Sequence, residues 1–416
     1  MKVCIVSSGN FFSNYGGGQV YVRNIVDELI RHKEITINVI SFDRSQKHSN
    51  REYNGIIVHQ VNDGSTLLNA LKTIKPNIVH ANGEKLLTSR ICKQLNIPCI
   101  ITVHHGGLVC PAGTLLNTDD EICNIPANYS HCLKCYLRNT RTGLLWYPLL
   151  KKYSQQRYIK IGKRLKSIHF IPFLTPIGET GLIVNEKLAE WRELLKTATH
   201  FIAPSNAIAE ALVRNGCSES KITVIPHGIP TLSEVNVKAK VNVDKIKFYY
   251  VGRINYVKGI HILLKSFTVI DNQNIELHLI GGAGNKTEQR YMKRLQKRYY
   301  KDKRIVWHGK LPFEYINELT KGFHCLIHPA IYLEVFGLTI SEALAQHKYV
   351  ISTRCGGAEM QIHSKSDGLL ISPNNIQELR NAICTYIDNP IQSDTNVISI
   401  QQHVSNLIDT YNTFIY

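Results

Sequence analysis

The sequence predicts an α/β protein built from two doubly wound parallel sheets, and three observations carry that prediction. Short apolar runs alternate with amphipathic stretches through the first half of the chain, and the same alternation restarts near Lys247. Residues 230–244, between the two sets, are polar, Lys-rich and weakly patterned, as an interdomain linker would be. At 416 residues and 44% hydrophobic composition, the chain can give each set a core of its own.

Taken in order, residues 3–7, 36–41, 56–60, 78–81 and 99–103 read as strands, separated by helical stretches at 20–31 and 66–74. The run at 3–7 is too short for a signal peptide and has no small-residue cleavage site after it, so it reads as a first buried strand. Gly16, Gly17 and Gly18 form a turn between that strand and the helix after it, where a ligand could approach the backbone closely. The second set supplies strands at 248–251, 276–280, 305–308, 325–328, 350–352 and 368–371, and a last helix at about 396–413 follows Pro390. Ligand chemistry in such sheets belongs at the strand C-termini.

Two segments of the second set fit a sugar diphosphate. In Tyr332-Leu-Glu-Val-Phe-Gly-Leu-Thr-Ile-Ser-Glu342, carboxylates flank a strand-to-helix turn. Backbone N–H groups around Phe336, Gly337, Leu338 and Thr339 suit phosphate, Glu342 suits ribose hydroxyls, and Glu334 lies where a transferred sugar would sit. In Val251-Gly-Arg-Ile-Asn-Tyr-Val-Lys-Gly259, Gly252 opens a turn carrying Arg253 and Lys258, the cations a leaving diphosphate needs. The turn containing Gly282 follows the next strand; no acidic ribose-binding residue stands at the spacing a nicotinamide cofactor requires.

Together with Ile202-Ala-Pro-Ser-Asn206 and Val224-Ile-Pro-His-Gly228, these elements resemble a retaining glycosyltransferase of the GT-B fold, glycosyltransferase family 4, over about residues 1–390. The resemblance implies two Rossmann-like domains facing across a cleft: an acceptor domain at 1–229 with an insertion at about 105–178, a nucleotide-sugar domain at 245–390, and a terminal helix at 391–416 packing back on the first. It implies catalytic roles for Arg253, Lys258, Glu334 and His104, and donor contacts from Gly16, Gly17, Gly252, Gly282, Phe336, Gly337, Leu338, Thr339 and Glu342. His104 would touch the donor sugar; His105 stands where many relatives have Asp. The reaction implied is transfer from a UDP- or GDP-linked sugar to a hydroxyl with retention of configuration. It proceeds by a front-face path without a nucleophile or cofactor, and the departing phosphate takes the acceptor's proton.

Charge and cysteine usage add to this. The formal net charge is +17, and from Ile122 to Gly178 there is no acidic residue but ten basic ones, interleaved with aromatics and leucines. That composition fits docking on an anionic membrane surface beside a lipid-linked acceptor, with the enzyme peripheral on the cytoplasmic face; the family resemblance implies surface-polysaccharide synthesis as the pathway. No nucleic-acid motif accompanies the patch; a soluble acceptor and a non-catalytic nucleic-acid-binding protein are the rival readings. No run reaches eighteen apolar residues. Cys110, Cys123, Cys132 and Cys135, ending in Cys-x-x-Cys, form a candidate structural zinc set, with His131 able to replace one sulfur.

Overall fold

A computed structural model describes residues 1–12, 17–45, 49–138, 143–150, 152, 155–167, 175–230 and 245–415. Gly16 and most of the expected linker lie outside them. The chain divides into two compact units, one of residues 1–118, 123–228 and 400–416, the other of residues 119–122 and 229–399.

The first unit holds eight strands: β1 (Lys2–Ser8), β2 (Thr36–Phe42), β3 (Ser49–Tyr53), β4 (Ile56–Val61), β5 (Ile78–Ala81), β6 (Cys99–Thr102), β7 (His200–Ala203) and β8 (Ile222–Val224). Their order is β3-β4-β2-β1-β5-β6-β7-β8. Every pairing is parallel except β3 with β4. β1, β5, β6 and β7 are almost wholly buried, as strands covered by helices on both faces must be, and so read as unbroken apolar runs. β3 (Ser-Asn-Arg-Glu-Tyr) is an exposed, polar edge strand and breaks that pattern.

The second unit is a six-stranded, all-parallel sheet of β9 (Ile246–Val251), β10 (Ile275–Ile280), β11 (Ile305–Gly309), β12 (Cys325–His328), β13 (Tyr349–Thr353) and β14 (Gly368–Ile371). Its order, β11-β10-β9-β12-β13-β14, is that of a Rossmann sheet, in which chain progression reverses between the two central strands. At that reversal β9 and β12 pair only at Phe248–Cys325 and Tyr249–Leu326, whereas β9 and β10 pair over six positions. The loops after β9 and β12 therefore leave the sheet on either side of a crevice.

The last helix, Ile400–Asn412, belongs to the first unit, and it starts later than the sequence pattern suggested. Ile400, Val404, Leu407 and Tyr411, spaced as one helical face, join the core with Tyr21, Val22 and Ile25. Polar contacts fix its rotation: the Tyr411 hydroxyl is 2.7 Å from His80 Nδ1, His403 Nε2 is 2.9 Å from the Tyr21 hydroxyl, and His403 Nδ1 is 2.7 Å from the Pro226 carbonyl. Thr102 Oγ1, 2.6 Å away, satisfies the other nitrogen of His80. Burial, reinforced by His403 and Lys85, drives the His80 pKa down to about 3, so the ring is neutral and needs both partners. Tyr411→Phe leaves one buried nitrogen unsatisfied and should lower unfolding stability by about 1–3 kcal/mol with little change in shape, as measured by denaturant titration.

Candidate active site

At the crevice of the second sheet, the loop after β9 turns through Gly252 and Arg253 into a short 3-10 helix, Tyr256–Lys258. Asn255 caps it by accepting from the Lys258 amide at 3.1 Å. Gly259 then turns with φ 72°, and a Cβ there would lie 1.8 Å from the Pro329 carbonyl oxygen. Only glycine lets this loop close against the loop that leaves β12. Ile331 N–H, donating to the Val257 carbonyl at 2.9 Å, ties the two loops together.

This juxtaposition brings Lys258 to Glu334, 76 residues away in sequence. Lys258 Nζ lies 2.5 Å from Glu334 Oε2, which also accepts from the Tyr332 hydroxyl at 2.8 Å and lies 3.4 Å from His328 Nε2. The Glu334 backbone is fixed by its N–H to the Cys355 carbonyl at 2.7 Å and its carbonyl from the Gly357 N–H at 3.0 Å. Burial alone would raise this carboxyl, but Lys258 and then His328 outweigh it and hold Glu334 ionised, well below the usual carboxylate range. The same attraction overcomes burial at Lys258 and raises its ammonium. Lys258 has two further N–H donors for a ligand.

Glu342 contrasts with Glu334. It is half-buried in the helix Leu338–Leu344 and makes no hydrogen bond or ion pair among the described residues. Burial pushes its pKa up to about 7. The turn before it is braced by Gln361, whose Nε2 donates to the Phe336 carbonyl at 2.5 Å and whose Oε1 accepts from Ser341 at 2.5 Å. Phe336 buries its ring, so only its backbone could meet a donor. Gly337 caps the helix, and Leu338 and Thr339 begin it.

Arg253 does not join the Lys258–Glu334 pair. Its side chain is 63% exposed, 4.0 Å from Glu288, which also accepts from Asn255 Nδ2 at 3.2 Å and from the Gly284 N–H at 2.6 Å. Gly252 and the turn of Gly281 and Gly282 meet so closely that a Cβ on Gly281 would stand 1.8 Å from the Gly252 carbonyl oxygen.

In the first unit, His104 follows β6, with its Nε2 2.8 Å from Asn82 Oδ1 after β5 and its ring edge-on to Tyr21. Asn82 accepts, so Nε2 carries the proton and Nδ1 is left as an acceptor. Burial, then Lys85, holds the His104 pKa well below its ordinary value. Lys85 is itself lowered to about 8 by burial. His105 accepts from the Gly107 N–H at 3.1 Å, capping a short turn. Gly17 opens the helix Gly17–Leu29.

The four cysteines of the candidate zinc set lie near one another, with His131 among them. His131 Nε2 lies 3.5 Å from Cys123 Sγ and 3.9 Å from Cys135 Sγ, while Cys132 packs into an apolar cluster with Val184 and Leu188. Among the described residues no group of three His, Cys, Asp or Glu is arranged to hold a metal ion, and all four cysteines, Cys110 included, are free. Burial, then neighbouring thiols, pushes Cys132 up to about 12 and Cys135 up to about 11.

Sequence reasoning missed His328, Tyr332, Asn82 and Lys85. A histidine ending the apolar run of β12 and a tyrosine two residues before Glu334 were the available signals for the first two.

Comparison with known proteins decides the family. The model of glycosyl transferases group 1 matches residues 233–402, and that of glycosyltransferase family 4 matches residues 178–231. The chain belongs to the group 1, family 4 glycosyltransferases. Similar curated proteins include the phosphatidylinositol N-acetylglucosaminyltransferase gpi3 subunit of Schizosaccharomyces pombe, 23% identical over 55% of this chain and 50% of that one. Another is the lipopolysaccharide 1,6-galactosyltransferase of Escherichia coli K12, 28% identical over 47% of this chain and 54% of that one. The chain thus spans about half the length of the curated relatives it matches. Anabaena HepE, solved with UDP and glucose, shares the fold at TM-score 0.65 and 16% identity, over 99% of this chain and 100% of that one. The fold class is GT-B.

Two predictions follow from the carboxylates. Lys258→Ala or Glu334→Ala strands one charge of a buried pair and should each cost about 3–5 kcal/mol, with the double variant less destabilised than the sum of the two; thermal melts of all three check this. Glu342 is protonated below its pKa of about 7 and ionised above it. If it accepts hydroxyls of the donor, affinity should fall as pH drops through 7, and Glu342→Gln should abolish that dependence in a titration with UDP- or GDP-sugar.

Proposed function

We propose that this glycosyltransferase moves a hexose or related sugar from a UDP- or GDP-linked donor to a hydroxyl of a lipid-linked glycan, with retention of configuration, during surface-polysaccharide assembly. The observation that carries the reading is the crevice of the second sheet, where the Lys258–Glu334 pair, braced by His328 and Tyr332, is followed by the helix that carries Glu342, which makes no hydrogen bond among the described residues. As the glycosidic bond breaks, charge grows on the β-phosphate. Arg253, the free N–H donors of Lys258 and the backbone around Gly337 stabilise that charge. Glu334, held ionised, accepts hydroxyls of the donor sugar. The leaving phosphate takes the acceptor's proton, so the step needs no cofactor.

Support for a lipid-linked acceptor comes from two directions. The names of two relatives above specify phosphatidylinositol and lipopolysaccharide. In the basic segment, Leu145 and Leu149, one helical turn apart, are 79% and 52% exposed, and Lys152, Lys160 and Lys163 are exposed nearby. Apolar tips among cations suit the headgroup region of an anionic bilayer on the cytoplasmic face. Arg141, Lys151 and Tyr153 of that segment lie outside the described residues. No described helix is long and apolar enough to cross a membrane.

The test is a screen of UDP- and GDP-sugars against polyprenyl-linked glycans and soluble glucans, with the product anomer read by NMR. Retained configuration on a lipid-linked product is expected; an inverted product, or turnover on soluble glucans alone, overturns the corresponding part. Arg253→Ala should lower kcat by about two to three powers of ten with its melting temperature unchanged, and near-normal turnover would remove Arg253 from the site.

A further inference from the structure

The second unit carries a cationic surface that the transfer chemistry does not use. In the helix Lys286–Tyr299, the side chains of Lys286, Arg290, Lys293, Arg294, Lys297 and Arg298 are all exposed, and none makes an ion pair among the described residues. At 100° per residue they fall within about 140° of arc, a single stripe about 18 Å long. Buried Leu295 and half-buried Tyr299 lie away from it and face the protein. The only acidic residue of the helix, Glu288, is turned back to the Gly284 N–H and to Asn255 and leaves the stripe unneutralised. The stripe continues past the helix end into Lys301, whose ammonium sits 6.0 Å from the ring centre of Tyr300, itself 66% exposed.

Like charges one turn apart repel one another and destabilise an isolated helix, so a helix that concentrates six of them on one face gains nothing for its own folding. An external anion relieves the repulsion. The outer face of a helix is convex and the charges run along about three turns of it, so its partner should be an extended array of negative groups. The exposed Tyr300 ring beside Lys301 matches the depth at which aromatics sit among headgroups.

We propose that the face of Lys286–Tyr299 is a docking surface for an anionic phospholipid bilayer. The proposal rests on the reading of a surface-bound acceptor for its purpose only; its physical basis is the stripe itself.

Co-sedimentation with phosphatidylcholine vesicles, with and without phosphatidylglycerol, tests it. Wild type should sediment with the anionic vesicles at low salt and be released at about 1 M salt, where charges are screened within about 3 Å. Lys293→Gln, Arg294→Gln, Lys297→Gln and Arg298→Gln together keep helix propensity and should weaken binding about fivefold per charge, several hundredfold in all, with donor hydrolysis unchanged and the melting temperature no lower. Unaltered sedimentation of that variant overturns the proposal. If Lys160→Gln with Lys163→Gln abolishes sedimentation instead, the surface-bound acceptor survives and this docking face does not. Absence of any vesicle binding overturns both and leaves only the transferase reading. A short duplex RNA that binds wild type more tightly than the anionic vesicles at the same salt would make the stripe a nucleic-acid surface and overturn the proposal.

Discussion

The parting of β9 and β12 after two paired positions is the constraint on which the second unit's chemistry depends. Parallel strands send every following loop to the same edge, and the reversal of strand order leaves a space there that no crossover helix fills. The loops bordering that space hold Lys258 and Glu334, and the glycine that lets them touch is Gly259. Two carboxylates eight positions apart thus acquire opposite characters. Glu334 is inside the loop contact, given a cation and held ionised; Glu342 is one helical turn beyond it, given burial without a partner, and pushed towards neutrality. The difference arises from the cation that only Glu334 is given.

Neutral imidazoles do comparable work in the first unit. His80, His104, His227 and His403 all have pKa values lowered by burial, and each that donates or accepts does so as an uncharged ring with two distinct nitrogens. His403 spends both nitrogens on holding the last helix and His80 spends one, with its other on Thr102, whereas His104 spends one on Asn82 and keeps the other. The large positive charge of the chain is therefore carried by lysine and arginine on exposed faces, with the buried histidines contributing little.

Much of this was legible in the sequence because parallel strands buried on both faces must be continuously apolar. β1, β5, β6, β12 and β13 announce themselves that way, and the strand-turn-helix motif at 332–342 follows from local pattern. β3 was invisible because an exposed antiparallel edge needs no apolar residues. Tertiary partners were equally hidden. Nothing near Glu334 in sequence points to Lys258, and nothing near Asn82 points to His104, since those pairs are made by topology. The Cys-x-x-Cys pattern is another case: spacing along a helix says which thiols are neighbours, but the apolar packing of Cys132 against Val184 and Leu188 comes from distant residues. The residues just before Cys123 were also unreadable from spacing, because 119–122 associate with the second unit, where Asp120 accepts from the Tyr256 hydroxyl at 2.8 Å.

The last helix gives the two units different schedules on a ribosome. The second sheet is encoded in one stretch, and its six strands are complete once residue 371 has emerged. The first sheet is translated earlier, yet part of its core waits for Ile400, Val404, Leu407 and Tyr411. Until they arrive, His80 lacks the hydroxyl for one nitrogen and the apolar face of Tyr21, Val22 and Ile25 lacks its cover. The half of the protein that is synthesised first is therefore the half that finishes folding last, and during translation its uncovered face is the one most in need of a chaperone.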